Sequence, residues 1–343
     1  MDKPIPTNCP GTSSTGAGKS APCKGCPNQK ICSTQDTEKM NKEKNTMRLQ
    51  LNEKLKDIKH KILVLSGKGG VGKSTVSSQF AYYLSHLGYE VGLLDLDLTG
   101  PSIPKLMGIE NQEMYRSGSG WSPVYVEDNL AVVSIGFMLP DKDAPVIWRG
   151  PKRNGLIKQF ILDIDWGPLD FLIIDTPPGI SEEHLSIVDF LDMKSSGDSD
   201  GALMVTTGQQ VSVNDVRKEL GFCKKTNVKV LGVIENMKHL KCENCGHDNL
   251  IFKSKFQNKS NIETMLKDFD VGLLGGLSFS PVLLNLCENG KGIWGIERGE
   301  EEDVDLNERQ KIVLRELGKD FEGVYDQVIK LVNAQPPQKI EEF

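Results

Sequence analysis

Apolar and polar positions change their periodicity repeatedly between Lys61 and Val332. Short apolar runs such as Ile62–Leu65 predict buried strands, and segments with helical spacing such as Val211–Cys223 predict helices between them. This alternation is typical of an α/β fold with a mostly parallel sheet covered by helices on both faces. The other predicted elements are strands Val91–Leu94, Leu130–Ile135, Phe171–Ile174, Ala202–Val205, Val228–Ile234 and Val271–Leu274, and a helix over Asn154–Leu162.

Composition divides the chain into four parts. The first is rich in Gly, Ser, Pro and Cys and has almost no large apolar residues, so it needs a metal to become ordered. The second is a hydrophilic linker, with a helix expected near Met47–Ile58. The predicted parts are a cysteine-rich segment (1–34), the linker (35–60), the main domain (61–334, with a cysteine-containing insertion at 239–247) and a tail (335–343).

Charge, hydropathy and cysteine content exclude several classes of function and indicate the cellular compartment. A net charge of −6 and a pI near 5.6 argue against nucleic acid as the main partner. The sequence has no apolar stretch long enough for a membrane span, and its N-terminus lacks the apolar core of a signal peptide. We therefore expect a soluble protein of the cytoplasm or nucleus, in which the eight cysteines are thiols or metal ligands rather than disulfides.

A phosphate-binding loop follows the first predicted strand. The run Gly-Lys-Gly-Gly-Val-Gly-Lys-Ser-Thr completes the phosphate-loop pattern between a strand and a helix, which is the context this motif requires. Its lysine, Lys73, is expected to reach the β- and γ-phosphates, and the hydroxyl of Ser74 is expected to bind Mg²⁺. The predicted nucleotide-binding residues are Gly67, Lys68, Gly69, Gly70, Val71, Gly72, Lys73, Ser74 and Thr75.

The loop contains a second lysine, Lys68, which a nucleotide held within one chain does not require. Its presence makes chemical sense if it reaches a nucleotide held by a second subunit. The loop therefore predicts a dimer whose interface includes the nucleotide.

Two aspartates end predicted strands and are expected to face the nucleotide. Asp97 follows the strand that begins at Val91, and Asp175 ends the strand that begins at Phe171. Carboxylates at the carboxyl ends of parallel strands face the ligand crevice, so Asp175 is predicted to hold Mg²⁺ through water and Asp97 to orient the attacking water. The alternative is that such aspartates only cap the next helix, and for Asp95 a structural role is the better interpretation.

Several motifs resemble those of one family of ATPases. The loop, together with Asp95-Leu-Asp97 and Asp175-Thr-Pro-Pro-Gly179, resembles the deviant Walker A class of dimeric ATPases. Within that class, Gly100-Pro-Ser-Ile-Pro104, Trp148-Arg-Gly-Pro151 and Gly155-Leu-Ile-Lys-Gln-Phe160 resemble the Mrp/NBP family of iron–sulfur cluster carriers. The resemblance extends from about Lys61 to Glu297.

This resemblance implies a P-loop NTPase fold and a nucleotide-sandwich dimer. It implies that Lys68 reaches the partner's phosphates, that Lys68, Lys73, Asp97 and Asp175 carry slow, dimer-dependent ATP hydrolysis with Mg²⁺, and that Asn236 contacts the base. For Asn236 the alternative is an ordinary turn residue at the end of a strand. The chain departs from the family pattern at 208–210 and 275–281, which puts adenine selectivity in question.

A single Cys-x-x-Cys pair, Cys242 and Cys245, supplies two thiolates where a tetrahedral zinc or a cubane cluster needs four ligands. His239 and His247 could complete a zinc ribbon within one chain. Alternatively, a two-fold axis would bring the pair together twice and make four thiolates at the interface. The resemblance favours the second arrangement and implies a 4Fe–4S cluster that bridges two chains.

The N-terminal segment contains a complete set of four thiolates, Cys9, Cys23, Cys26 and Cys32. Both zinc and a 4Fe–4S cluster are compatible with four sulfur ligands. The spacing resembles the N-terminal motif of the larger cytosolic scaffolds of the family, which implies a second 4Fe–4S cluster in each chain.

The resemblance implies a cytoplasmic, ATP-dependent scaffold that assembles 4Fe–4S clusters and transfers them to cytosolic and nuclear apoproteins. Its expected partners are a second copy or a smaller paralogous scaffold ATPase, as a homodimer or heterotetramer, together with cluster-targeting proteins and the apoproteins, and neither nucleic acid nor a membrane. The alternative function is a nucleotide switch of the same ATPase class that positions a protein partner and holds structural zinc at its cysteines.

Overall fold

The computed structural model describes residues 18–26, 29, 50–51, 53–97, 100–118, 120–138, 150–193, 199–242, 247–252, 261–297 and 306–337, with only the backbone for 150–154. Cys9, Cys32 and Cys245 lie outside these ranges. The chain divides into two compact units, Met1–Glu53 and Lys54–Phe343. In the first unit, a single 3₁₀ turn, Ala21–Cys23, lies within the described residues.

Twelve strands are assigned within the described part of the second unit. They are β1 (Ile58–Leu65), β2 (Val91–Asp95), β3 (Tyr115–Arg116), β4 (Trp121–Ser122), β5 (Val124–Glu127), β6 (Leu130–Ser134), β7 (Leu169–Asp175), β8 (Gly201–Thr206), β9 (Val230–Glu235), β10 (His239–Lys241), β11 (Asp248–Leu250) and β12 (Leu273–Gly276). Eight of them form one sheet in the order β12-β9-β8-β1-β7-β2-β6-β5. Every pair in this sheet is parallel except β5 with β6, and β3–β4 and β10–β11 form separate antiparallel ribbons.

Helices connect the strands. Within the described ranges they are α1 (Lys73–His86), α2 (Ile103–Leu106), α3 (Gly150–Asp163), α4 (Glu182–Phe190), α5 (Gln210–Thr226), α6 (Asn261–Phe269), α7 (Pro281–Glu288), α8 (Ile293–Glu297) and α9 (Glu308–Leu331), with a 3₁₀ turn at Ile135–Met138. None of these helices is both long and apolar enough to cross a membrane.

Both faces of the sheet are buried. In β1, Ile62 and Val64 belong to a core shared with α1, α8 and α9. The alternate residues Leu63 and Leu65 point to the opposite face and are equally inaccessible. Burial on both faces explains why the central strands read as continuous apolar runs rather than alternating ones.

The predicted α/β fold with a mostly parallel, helix-covered sheet is confirmed, and the seven predicted strands match observed strands within a few residues. The expected helix near Met47–Ile58 is wrong at its C-terminal end, because Ile58 begins β1 and pairs with Leu169. The main domain was expected to start at 61, a position inside this strand. The charged residues Lys59 and Lys61 obscured the start of the strand in the sequence, although the alternating residues Ile58 and His60 are buried.

The sequence analysis did not predict the antiparallel edge strand, β5. Strand β5 carries exposed Tyr125 beside buried Val124 and pairs with β6 through an irregular register. A four-residue edge strand with such a pattern has too weak a periodicity to be predicted from the sequence.

Helix α5 buries the carboxyl group of Glu219, and burial, with Asp215 adding to it, raises the pKa of Glu219 from 4.5 to about 7. Neither carboxylate oxygen has a hydrogen-bond partner among the described residues. The folded protein therefore binds this proton more tightly than the unfolded chain, and the free energy of unfolding must fall as the pH rises through this interval. We expect the free energy of unfolding of Glu219→Gln, relative to that of wild type, to increase by about 2–3 kcal/mol as the pH rises from about 5 to about 8. Urea unfolding at each pH measures the difference.

The matched control is Glu308→Gln, since the Glu308 side chain is 86% exposed. This control is expected to follow the wild-type pH dependence throughout. If Glu219→Gln also follows the wild-type curve, the carboxyl group of Glu219 is not buried as described.

Candidate nucleotide site and cysteine hairpin

The phosphate loop connects β1 to α1 and is open on the side where phosphates would lie. Gly70 and Gly72 have positive φ angles of 78° and 84°, which residues with side chains rarely adopt. A side-chain carbon at Gly70 would have no atom within 4 Å. Because Lys73 begins α1, the positive end of that helix points into the loop. The backbone therefore forms an anion cradle that fits the phosphates of a nucleotide.

The carboxylate of Asp175 lies beneath this cradle. It is fully buried at the end of β7, and its Oδ2 atom accepts from Lys73 Nζ at 2.7 Å and from Ser74 Oγ at 2.6 Å. Its Oδ1 atom accepts from Ser77 Oγ at 2.7 Å. The structure thus brings together three residues that the sequence analysis assigned to nucleotide and Mg²⁺, and it adds Ser77, which was not predicted. A hydroxyl and a carboxylate this close form a donor set that suits Mg²⁺.

A second carboxylate, Asp95, lies on the neighbouring strand. It pairs with Asp175 in the register of β2 and β7 and is fully buried. Burial first, and the charge of Asp175 second, raise the pKa of Asp95 to about 7. It accepts from Ser134 Oγ at 2.8 Å and from the backbone N–H of Asp97 at 3.0 Å, so it orders the turn that carries Asp97.

The second lysine of the loop contacts another element of its own chain. Lys68 Nζ donates to Gln209 Oε1 at 3.0 Å, and Gln209 is the exposed N-cap residue of α5. The second turn of α5 is also close behind Gly67, where a side-chain carbon would lie 2.5 Å from the backbone of Asp215. The sequence analysis did not identify Gln209, since nothing in its local pattern links it to a loop 141 residues earlier.

Asn236 contacts the phosphate loop directly. It follows β9, is 7% exposed, and donates from its side-chain Nδ2 atom to the carbonyl oxygen of Val71 at 2.9 Å. A side-chain carbon at Gly72 would lie 2.2 Å from the same nitrogen. Asn236 is therefore packed against the loop itself, a contact that neither of its two sequence-based interpretations included.

The segment after Asp175 contains a buried histidine, His184, to which the sequence analysis gave no role. His184 Nδ1 accepts from the backbone N–H of Ser181 at 3.3 Å, so Nε2 carries the proton and donates to the carbonyl oxygen of Pro177 at 3.1 Å. Burial lowers the pKa of His184, which keeps the ring neutral near pH 7. The ring thereby holds the Pro-Pro-Gly turn in one shape next to the loop.

Cys242 lies at the end of a short hairpin, β10–β11. Its backbone N–H donates to the carbonyl oxygen of His247 at 3.0 Å. The preceding residue, Lys241, is 9% exposed, and its Nζ atom lies 2.6 Å from Glu316 Oε2 on α9. Although Cys245 lies outside the described residues, the hairpin that presents Cys242 is anchored to the domain.

Cys23 and Cys26 share one turn in the first unit. The backbone N–H of Cys26 donates to the carbonyl oxygen of Cys23 at 3.1 Å, and Ser20 Oγ lies 3.1 Å from Cys23 Sγ. This contact with Ser20 lowers the pKa of the Cys23 thiol, which favours the thiolate that a metal or cluster requires.

In the described ranges no three His, Cys, Asp or Glu side chains converge as a metal site. Cys9 and Cys32, the other two predicted N-terminal ligands, lie outside those ranges. Cys223 and Cys287, by contrast, are buried thiols, and burial raises the pKa of each to about 12, which disfavours the thiolate near neutral pH.

The parallel sheet and the loop between β1 and α1 define a P-loop NTPase. A family model described as "ParA: NUBPL iron-transfer P-loop NTPase" matches residues 57–313, and the chain belongs to this family. It is 47% identical over 299 residues to a protein of Drosophila pseudoobscura pseudoobscura named cytosolic Fe-S cluster assembly factor Nubp1 homolog, covering 87% of this chain and 94% of the relative.

A solved structure supports the same fold. It is the nucleotide-binding protein of Archaeoglobus fulgidus in complex with ADP, with cobalt found by PIXE. The likeness has a TM-score of 0.60 and 31% identity, and covers 71% of this chain and 91% of that one.

Proposed function

We propose that this protein is an ATP-dependent scaffold that assembles 4Fe–4S clusters and transfers them to cytosolic and nuclear apoproteins. The observation that carries the proposal is the presence, in one compact unit, of a complete phosphate loop and an anchored hairpin that presents Cys242. The 47% identity to a relative named as a cytosolic iron–sulfur assembly factor supports the substrate class and the compartment.

The nucleotide is proposed to bind with its phosphates on the N–H groups of residues 67–75 and on Lys73. Mg²⁺ would be held by Ser74 and, through water, by Asp175, and it would neutralise charge on the phosphates. Asp97 is proposed to orient the attacking water. Asn236 is proposed to lie beside the base as well as against Val71.

Two copies are proposed to face each other across their nucleotides. In that arrangement Lys68 leaves Gln209 and reaches the partner's phosphates, which would make hydrolysis dimer-dependent and slow in the single chain. The two-fold axis would also bring Cys242 and Cys245 of both copies together as four thiolates for a transferable cluster. The smaller paralogous scaffold could take the place of the second copy in a heterotetramer.

The four N-terminal cysteines are proposed to hold a second, resident 4Fe–4S cluster in residues 1–34. Cys23 and Cys26 support this role, since they share a turn and Cys23 favours the thiolate. The hydrophilic segment from residue 35 to the start of β1 at Ile58 would then connect the cluster-binding segment to the ATPase domain.

Removing the hairpin cysteines tests the proposed function. After anaerobic reconstitution with iron and sulfide, Cys242→Ala combined with Cys245→Ala is expected to lose about two of about six iron atoms per chain, because half of a bridging cluster belongs to each chain. Iron and sulfide analysis with visible absorbance measures the loss. Cys223→Ala, which removes a buried thiol, should retain the full iron content.

The reciprocal variant, Cys23→Ala combined with Cys26→Ala, is expected to lose about four iron atoms per chain. Unchanged iron in the hairpin variant would contradict the bridging cluster. Stoichiometric zinc without iron in protein purified anaerobically would instead support the nucleotide switch with structural zinc.

Replacing Lys68 tests the proposed dimer mechanism. Lys68→Ala should bind ADP about as tightly as wild type, since Lys73 and the loop N–H groups remain. ATP turnover should fall roughly 10²-fold, because the partner's phosphates lose a cation that acts in the transition state. Gln209→Ala serves as the comparison, since it removes only the contact within the chain and should retain turnover. Equal turnover in Lys68→Ala and wild type would argue against a role in the partner's site.

A further inference from the structure

We infer that Asn236 is a positioning residue that couples the phosphate loop to the cysteine hairpin. The inference rests on the proposed function and deepens it by assigning how nucleotide regulates the cluster site. Asn236 belongs to both sites at once, because its side chain holds the loop and its backbone leads into the hairpin. Cys242 follows it by six positions.

The contact at the loop is tight enough to transmit a change. The Asn236 side chain is enclosed, with its nitrogen 2.9 Å from the carbonyl oxygen of Val71 and next to Gly72. Its own backbone N–H donates to the carbonyl oxygen of Thr206 at 2.7 Å. Val71 lies in the loop whose N–H groups are proposed to bind the phosphates, so a rotation of its peptide on phosphate binding would change the hydrogen bond to Asn236.

The backbone between Asn236 and the hairpin is conformationally restricted. Met237 has a φ angle of 55°, a left-handed conformation uncommon for a residue with a long side chain. The next backbone N–H, that of Lys238, donates to the carbonyl oxygen of Leu277 at 2.9 Å. Because this sharp turn is followed directly by a hydrogen-bonded residue, a displacement of Asn236 is transmitted to the hairpin.

The hairpin itself is bonded along its length. The N–H of Phe279 donates to the carbonyl oxygen of His239 at 2.7 Å, and the N–H of Lys241 donates back to that of Phe279 at 3.3 Å. At its far end Lys241 is paired with Glu316 on α9. The hairpin is thus held by residues 277–279 and by α9, and it is linked to the phosphate loop through Asn236. A movement at the loop then changes the angle at which Cys242 is presented.

This arrangement explains how one dimer interface can serve two sites. Nucleotide that reshapes the loop alters the geometry of two of the four bridging thiolates, one from each chain. A cluster held by four ligands in one geometry is released more readily when two of them move. Asn236 therefore makes cluster retention depend on the nucleotide state.

Hydrogen exchange measures the coupling without any cluster. With saturating ADP and Mg²⁺, wild-type protein is expected to change its exchange rate at least about threefold in a peptide that includes Lys238, Lys241 and Cys242. In Asn236→Ala this change should shrink to less than about 1.5-fold. Because Asn236 is also proposed to lie beside the base, the ADP concentration is set from the affinity measured for each variant. Protection of residues 67–75 then shows that the variant is saturated.

The matched control is Asn129→Ala. Asn129 is also a partly buried asparagine whose side chain donates to backbone carbonyl oxygens, those of Ser85 and Tyr89, both at 2.9 Å. The control should lose comparable stability and keep the full nucleotide effect on the hairpin. Asn236→Asp, which retains the size but loses the donor, replaces Asn236→Ala if the latter does not fold.

Cluster measurements separate this inference from the proposed function. In reconstituted protein, ADP or ATP should change the rate of cluster loss to a chelator in wild type but not in Asn236→Ala, while both hold equal iron. A full nucleotide effect on the hairpin in Asn236→Ala, or none in wild type, would overturn the inference. If the hairpin responds to nucleotide but Cys242 binds no iron, the proposed function fails and the coupling stands.

Discussion

Asp175→Asn is expected to produce the largest combined loss of stability and activity. The substitution removes the charge that faces Lys73 Nζ at 2.7 Å, and both groups are almost inaccessible to water. An unpaired buried ammonium should destabilise the nucleotide-free protein by about 3–5 kcal/mol. Turnover of ATP should fall by about 10²-fold or more, since the carboxylate also positions Ser74 for Mg²⁺. Urea unfolding and single-turnover hydrolysis measure the two effects.

Asp200→Asn is the matched control. Asp200 is also a buried carboxylate paired with a lysine, Lys61, at 2.8 Å, but it precedes β8 and so lies at the opposite end of the sheet from the loop. We expect a comparable loss of stability with unchanged nucleotide affinity and turnover per folded molecule. An equal loss of turnover in both variants would show that Asp175 acts through stability alone.

Gly67→Ala is expected to separate the phosphate loop from α5. The added carbon would lie 2.5 Å from the backbone carbon of Asp215 and 2.6 Å from the backbone nitrogen of Val216, so a strand end and a helix must move apart. Neither group can turn away as a flexible side chain would. We expect a loss of about 2–3 kcal/mol in the free energy of unfolding. ADP affinity should fall by about 10²-fold, which corresponds to about 3 kcal/mol of binding free energy.

Gly69→Ala provides the comparison within the same loop. Its added carbon would approach only Pro178, at 4.0 Å, and its φ angle is not positive. The stability of the nucleotide-free protein should stay within about 0.5–1 kcal/mol of wild type. Thermal and urea unfolding of the two alanine variants would decide whether the contact with α5 is as close as described. Equal stability in the two would contradict it.

The sequence by itself determined the fold class, the family and the phosphate loop. Each of these depends on local order along the chain: apolar runs predict strands, and nine consecutive residues, 67–75, contain the whole loop pattern. Spacing along the chain also identified Cys242 and Cys245 as a Cys-x-x-Cys pair, and the four N-terminal cysteines as a ligand set. A resemblance that rests on short motifs can be recognised without knowing how the chain packs.

The sequence predicted that Asp175 faces the nucleotide, but only the tertiary structure decided which side chains of distant residues touch at the loop. Lys73 and Asp175 are 102 residues apart, Lys68 and Gln209 are 141 apart, and Val71 and Asn236 are 165 apart. Strands β7, β1, β8 and β9 are adjacent and parallel, so the residues that end or follow them meet at the carboxyl ends of the strands. Strand order is set by packing over the whole domain, and no local pattern encodes it. The burial of Glu219 and the clash behind Gly67 have the same cause, because each depends on what lies across from the residue rather than next to it in the chain.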